Sequence, residues 1–181
     1  MSRIDPKFQS VIDKELKPNE SICWSTMPNT LSRACDSIGV FLFGIPWNAG
    51  LLYFISPIVQ KPQFPPFHFI LLLSPFIFFG ICLFLSPLFA YIKAHKTLYV
   101  ITNKRAFTLS VGKTHSIENF YPKKSSILKK IERKNGTGDI ILKRSHHTDS
   151  DGDKQTTDYG FFSLPDVADA ERNLDMLLNN S

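Results

Sequence analysis

From Ser37 to Gln60 the chain carries no Asp, Glu, Lys or Arg, and after Lys61 the next such side chain is Lys93. A helix needs about 20 consecutive apolar residues to cross a bilayer. The charge-free region therefore holds two spans, residues 37–59 and 67–92. A soluble core would not gather its apolar residues into one such stretch. The link Gln60-Lys-Pro-Gln-Phe-Pro-Pro66 is too short for a crossover, so the spans form an antiparallel hairpin. Pro46, Pro75 and Pro87 fall inside the runs. Lipid-embedded helices tolerate prolines where neighbouring groups re-satisfy the freed backbone. Gly39, Gly44 and Gly50 in the first span are expected to let the second helix approach closely.

Orientation follows from the basic residues near the span ends. Only Lys61 lies in the outer turn, against Arg33, Lys93, Lys96, Lys104 and Arg105 on the other side. Both termini are thus expected in the cytoplasm. The first 20 residues are polar and mixed in charge, unlike a secretory signal. Cys23, Cys35 and Cys82 show no CxxC spacing and read as reduced thiols.

Residues 93–181 read as short strands followed by one helix. Expected strands are 97–102, 105–111, 114–120, 126–132, 139–143 and 159–163, with tight turns at Asn103-Lys104, Gly112-Lys113 and Asn135-Gly136. Residues 145–158 read as a polar excursion. After Pro165 and Asp166, Val167, Ala170, Leu174, Leu177 and Leu178 recur at helical spacing, a stripe that needs a sheet to cover. Before the hairpin, Ser10 to Leu16 suits a short helix. Residues 20–26 suit a strand that joins the downstream sheet, with Ile22 and Trp24 on one face. The expected organisation is an N-terminal segment (1–36), the hairpin (37–92) and a cytoplasmic domain (93–181).

The pattern Glu20-x-Ile-x-Trp24-x-x-x-Pro28, two spans, Tyr99-x-Ile-Thr-Asn-Lys-Arg105, Gly136-x-Gly-Asp-Ile-Ile141 and Gly160-Phe-Phe-x-Leu-x-Asp-Val167 resembles bacterial membrane proteins that carry a PH-like (pleckstrin-homology) domain. The resemblance runs from about Leu16 to the terminal helix. It implies an α+β fold: a transmembrane hairpin plus a β-sandwich or barrel of about seven strands, capped by a C-terminal amphipathic helix. It also implies a multi-pass protein of the bacterial inner membrane. It supplies no catalytic residues.

No nucleophile elbow, P-loop or HExxH occurs. His146, His147, Asp149, Asp151 and Asp153 form a polar cluster, but the glycine and glutamate of a calcium loop are missing and a hairpin turn explains it. Asp139 reads as turn chemistry. His68 is the one ionisable residue within a span, near its outer end. No catalytic, metal or cofactor site is expected. Residues 93–181 hold 15 Lys and Arg against 11 Asp and Glu. Lys93, Lys96, Lys104, Arg105, Lys123, Lys124, Lys129 and Lys130, with Arg133 and Lys134 beside them, are candidates for contact with lipid headgroups. Such a cluster attracts anionic lipid at about 1 kcal/mol per residue. A solvated strand face explains the same residues. Nucleic acid is not an expected partner, because too few aromatics accompany the charge. The expected function is a non-enzymatic, membrane-anchored interaction or scaffold module that binds a protein partner or its own copies. The alternative is a sensor of anionic lipid.

Overall fold

The structure, a computed structural model, describes residues 5–60, 67–112, 114–121, 127–148 and 154–179. The elements run α1 (Pro6–Glu15), β1 (Ile22–Thr26), α2 (Thr30–Cys35), α3 (Ile38–Val59), α4 (Phe67–Ala94), β2 (Thr97–Thr102), β3 (Ala106–Val111), β4 (His115–Phe120), β5 (Lys129–Glu132), β6 (Gly138–Thr148), β7 (Lys154–Leu164) and α5 (Val167–Asn179). They divide into two compact units. The chain up to Ser32 folds with the chain from Lys93 onward, and Arg33–Ile92 forms the second unit.

In the first unit, β1-β2-β3-β4 make one antiparallel sheet and β5-β6-β7 another. Among the described residues no ladder joins the two, so the barrel expected as one option does not close. Every residue of β2 is buried. The run Leu98-Tyr-Val-Ile101 lacks polar alternation because both faces of its sheet are covered. On one face Tyr99, Ile101 and Ala106 meet Ile140, Leu142 and Phe161 of the second sheet and Val167, Ala170, Leu174 and Leu177 of α5. On the other, Leu98, Val100, Phe107 and Leu109 meet Phe8 and Ile12 of α1. The N-terminal helix is thus a third layer. Asp5 caps it by accepting from the Lys7 backbone N–H at 3.1 Å.

β1 lies antiparallel to β2, with a register shift between Ile22 and Trp24. The shift overturns the expected alternation. Ile22 packs towards α1, whereas Trp24 packs in the α5 core. A bulge inserts one residue and so sends flanking side chains to opposite faces. Two further expectations change. Glu132 pairs with Gly138, which leaves a five-residue connection where a two-residue turn was expected. The polar excursion at 145–158 is mostly strand, because β6 extends to Thr148 and β7 begins at Lys154. Asp149, Asp151 and Asp153 lie outside the described residues.

In the second unit, α3 and α4 contain windows of 20 and 24 residues apolar and long enough to cross a membrane, with mean hydropathy 1.7 and 2.2. Only 6% and 11% of those windows is buried within the protein, unlike the core helix of a soluble domain. Of the three glycines expected at the helix contact only Gly44 serves, against Leu83; Gly39 and Gly50 have open space around them. The other close approach is at Gly80, where an added Cβ would strike the Asn48 side chain. Asn48 Nδ2 donates to Gly80 O at 3.2 Å and to Gly44 O at 2.7 Å. Trp47 packs edge-on to Phe79, and Phe41 edge-on to Phe84.

Three of the four prolines in these helices follow a serine. A helical proline orphans the carbonyl four residues earlier. Ser56 Oγ donates to Tyr53 O (3.3 Å), Ser74 Oγ to Leu71 O (2.9 Å) and Ser86 Oγ to Leu83 O (2.8 Å). Those are the carbonyls that Pro57, Pro75 and Pro87 leave unpaired. In each case the serine hydroxyl supplies the donor that the proline lacks.

Candidate functional site

In the first unit a dense polar network surrounds Arg105. The β2–β3 turn places this residue beside the link from α1 to β1. Its side chain is buried. Arg105 Nε donates to Glu20 Oε1 at 2.9 Å, Nη1 to Asn119 Oδ1 at 2.6 Å and Glu15 Oε1 at 3.2 Å, and Nη2 to Glu15 O at 2.9 Å and Glu20 Oε2 at 3.3 Å. Glu20 also accepts from Thr102 Oγ1 and the Lys17 N–H, each at 2.8 Å. Burial pushes the Glu20 carboxyl up, but the hydrogen bonds from Arg105, Lys17 and Thr102 outweigh it and hold the pKa at about 2.

The rest of that turn grips the same segment. Asn103 N–H donates to Ser21 O and its Oδ1 accepts from Ser21 N–H, both at 3.1 Å. Lys104 Nζ donates to Pro18 O at 2.7 Å. The Thr-Asn-Lys-Arg run is therefore a clasp on the N-terminal segment.

The other motifs are structural as well. Trp24 Nε1 donates to Asp169 Oδ2 at 2.6 Å on α5. Asp139 Oδ1 accepts from the Ser163 N–H at 2.6 Å, where Ser163 adopts a φ of 52°. Its Oδ2 accepts from Arg133 Nη2 at 3.2 Å, so Asp139 ties two strands and is more than a turn residue. A Cβ at Gly138 would fall on the Ile131 carbonyl oxygen, which explains the second glycine of that motif.

The candidate headgroup contacts scatter. Arg105 is withdrawn from that role: it is 1% exposed and its donors are engaged within the fold. Lys130 pairs with Glu171 at 2.6 Å and Glu132 at 3.2 Å, which neutralises it locally. Lys93, Lys96, Lys104 and Lys129 are exposed. Lys93 and Lys96 stand where α4 ends and β2 begins, whereas Lys129 opens β5 in the other sheet. Lys123 and Lys124 lie outside the described residues. Arg133, as noted, meets Asp139.

His146 Nδ1 lies 3.2 Å from Thr156 Oγ1 across the β6–β7 pair. Among the described residues no three His, Cys, Asp or Glu side chains gather as a metal-binding set. A shallow apolar pocket of about 20 Å³ opens between Phe120, Tyr121, Ile127, Leu142 and α5, room for roughly one water. Sequence reasoning missed α1 as a covering layer and Asn48 as a polar contact between the spans. The signal for Asn48 was its charge-free surroundings, where one amide stands out. In comparisons with protein-family models, curated proteins and solved structures, nothing matches this chain.

Proposed function

We propose that this chain is a non-enzymatic interaction module with a PH-like domain, anchored by its hairpin on the cytoplasmic face of a bacterial inner membrane. One observation carries the reading: residues before and after the two apolar helices build one folded unit, so the hairpin is an insertion into a domain. Such an insertion ties the domain to the bilayer at both ends of the anchor. The polar residues of the motifs are spent on the fold, which leaves surfaces and strand edges as the working parts. Photo-crosslinking of the full-length protein in native membranes tests this. A specific protein adduct, to itself or to another chain, is the expected result. Recovery of lipid adducts alone would sink it.

The lipid-sensing reading keeps one specific support, the exposed Lys93 and Lys96 at the end of α4. Cations there suit anionic headgroups. If that reading holds, the purified protein carries anionic lipid in excess of the bulk membrane. Changing Lys93, Lys96 and Lys129 to Gln would then remove the excess.

A further inference from the structure

The β6–β7 pair is longer than the sheet it belongs to. β5 pairs only with Gly138–Ile141, so from Lys143 outward β6 has β7 as its one strand neighbour among the described residues. This distal ribbon comprises Lys143–Thr148 and Lys154–Asp158. It carries no apolar side chain and is largely exposed. An isolated two-stranded ribbon is marginal in water. The inner end of β7 is covered: Asn29 N–H donates to Ser163 O at 2.6 Å, and the Tyr99 hydroxyl bonds the Phe162 backbone. The outer end has no strand on the side away from β6 among the described residues. From Arg144 to Thr148 the ladder runs without a register shift, and no proline interrupts it. Bulges and prolines are the devices that blunt an edge against pairing. Here only Lys154 could serve.

We propose that this edge pairs with itself: β7 lies antiparallel to β7 of a second copy, on a two-fold axis at Thr156. The inference rests on the interaction-module reading and deepens it by naming the partner. The segment Lys154-Gln-Thr-Thr-Asp158 is self-complementary about its centre. The axis puts Lys154 opposite Asp158 of the second copy, Gln155 opposite Thr157, and Thr156 opposite Thr156. Within one chain Arg144 already forks onto Asp158, at 2.6 Å from Nε and 2.9 Å from Nη2. The row across strands then reads Arg144, Asp158, Lys154 of the second copy, alternating in sign. The central row reads His146, Thr156, Thr156, His146, all able to hydrogen-bond. Opposite charges and paired threonines facing across strands are each favourable. The contact is small, but two copies confined to one membrane meet at high effective concentration. An acidic peptide strand fits the edge less well, because it would leave Asp158 facing like charge.

The test uses the full-length protein in membranes, in a background with Cys23→Ser, Cys35→Ser and Cys82→Ala. Thr156→Cys should give a crosslinked dimer with a short thiol-reactive linker. Lys154→Cys mixed with Asp158→Cys should crosslink, and each alone should do so at least about fivefold less. Lys154→Glu added to Thr156→Cys should lower the dimer yield about fivefold, since Glu would face Asp158. Absence of a Thr156→Cys dimer overturns the proposal, as does equal crosslinking by Lys154→Cys alone. Lys154 and Thr156 are exposed and Thr156→Cys leaves the Arg144–Asp158 fork in place, so a thermal unfolding profile matching that of the cysteine-free background is expected and shows that the deciding variant folds. If Thr156→Cys stays monomeric while photo-crosslinking yields another protein, self-pairing fails and the interaction module stands. If neither adduct forms, both fail.

Discussion

Glu20 and Arg105 meet at 2.9 Å in the interior, 85 positions apart in sequence and on opposite sides of the hairpin. One side precedes the two apolar helices and the other follows them. The pair therefore joins the stretch before the two apolar helices to the stretch after them within one folded unit. It shares Thr102, Asn119, Glu15 and the Lys17 backbone, so neither charge is left with unmet hydrogen bonds in a poorly solvated place. Satisfied networks of this kind specify one arrangement of the chain, whereas half-satisfied ones are costly.

Breaking the pair from one side should be severe. Arg105→Met leaves the Glu20 carboxylate buried without its main partner, and removal of one member of a buried pair costs about 3–5 kcal/mol. Glu20→Gln retains an acceptor, and Arg105 keeps Glu15, so its cost should be smaller. Combining the two should cost less than the sum. Thermal unfolding of the full-length variants in detergent measures all three. A loss of under about 1 kcal/mol for Arg105→Met would show the network to be dispensable.

The same pair predicts acid sensitivity. Glu20 has a folded-state pKa of about 2, against an ordinary value of 4.5. The unfolded chain binds the proton more readily, so ionised Glu20 favours folding above pH 4.5. That contribution fades as pH falls from 4.5 through 2. Its full size is about 3 kcal/mol. Glu20→Gln should flatten this part of the stability profile. A mutant that still loses stability over the same window, by the same amount, would assign the acid limb elsewhere.

Residues 93–181 should not fold alone. That piece lacks β1, which pairs β2, and α1, which covers Leu98, Val100, Phe107 and Leu109. It also strands Arg105 in the interior. A fusion of residues 5–32 to 93–179 through a short flexible linker should recover the fold. Amide dispersion in NMR spectra distinguishes the two. Native-like dispersion for 93–181 by itself would mean that the N-terminal segment is an accessory.

The sequence made the hairpin plain because two long charge-free runs leave few alternatives. The α5 stripe was plain for a similar reason: Val167, Ala170, Leu174 and Leu177 repeat at helical spacing and are all buried. The strands were legible from β-branched and aromatic runs, but which face each residue takes was not always so. At Ile22 and Trp24 a bulge broke the period, and a bulge has no reliable signature in side-chain pattern. The fold covers both faces of β2, but α1 was not legible as the second cover because Phe8 and Ile12 alone make a thin stripe. At the basic cluster, Arg105 and Lys129 look alike in sequence. Only the fold separates the clasp from the exposed surface.

The hairpin offers the sharpest test of the membrane reading. Ser86 donates to the carbonyl of Leu83, which Pro87 leaves without its helical N–H. In hydrocarbon an unpaired carbonyl costs about 1–3 kcal/mol. Ser86→Ala should therefore destabilise the helix pair by that order, as measured by unfolding in mixed micelles. Pro87→Ala restores the N–H, after which the hydroxyl is redundant. In that background Ser86→Ala should cost only a few tenths of a kcal/mol. Hydration would satisfy the carbonyl if this stretch faced water, and the serine would then matter little in either background. Equal small effects with and without Pro87 would thus argue against burial of this turn in lipid. A large effect that depends on Pro87 would fix the serine's role as the substitute donor.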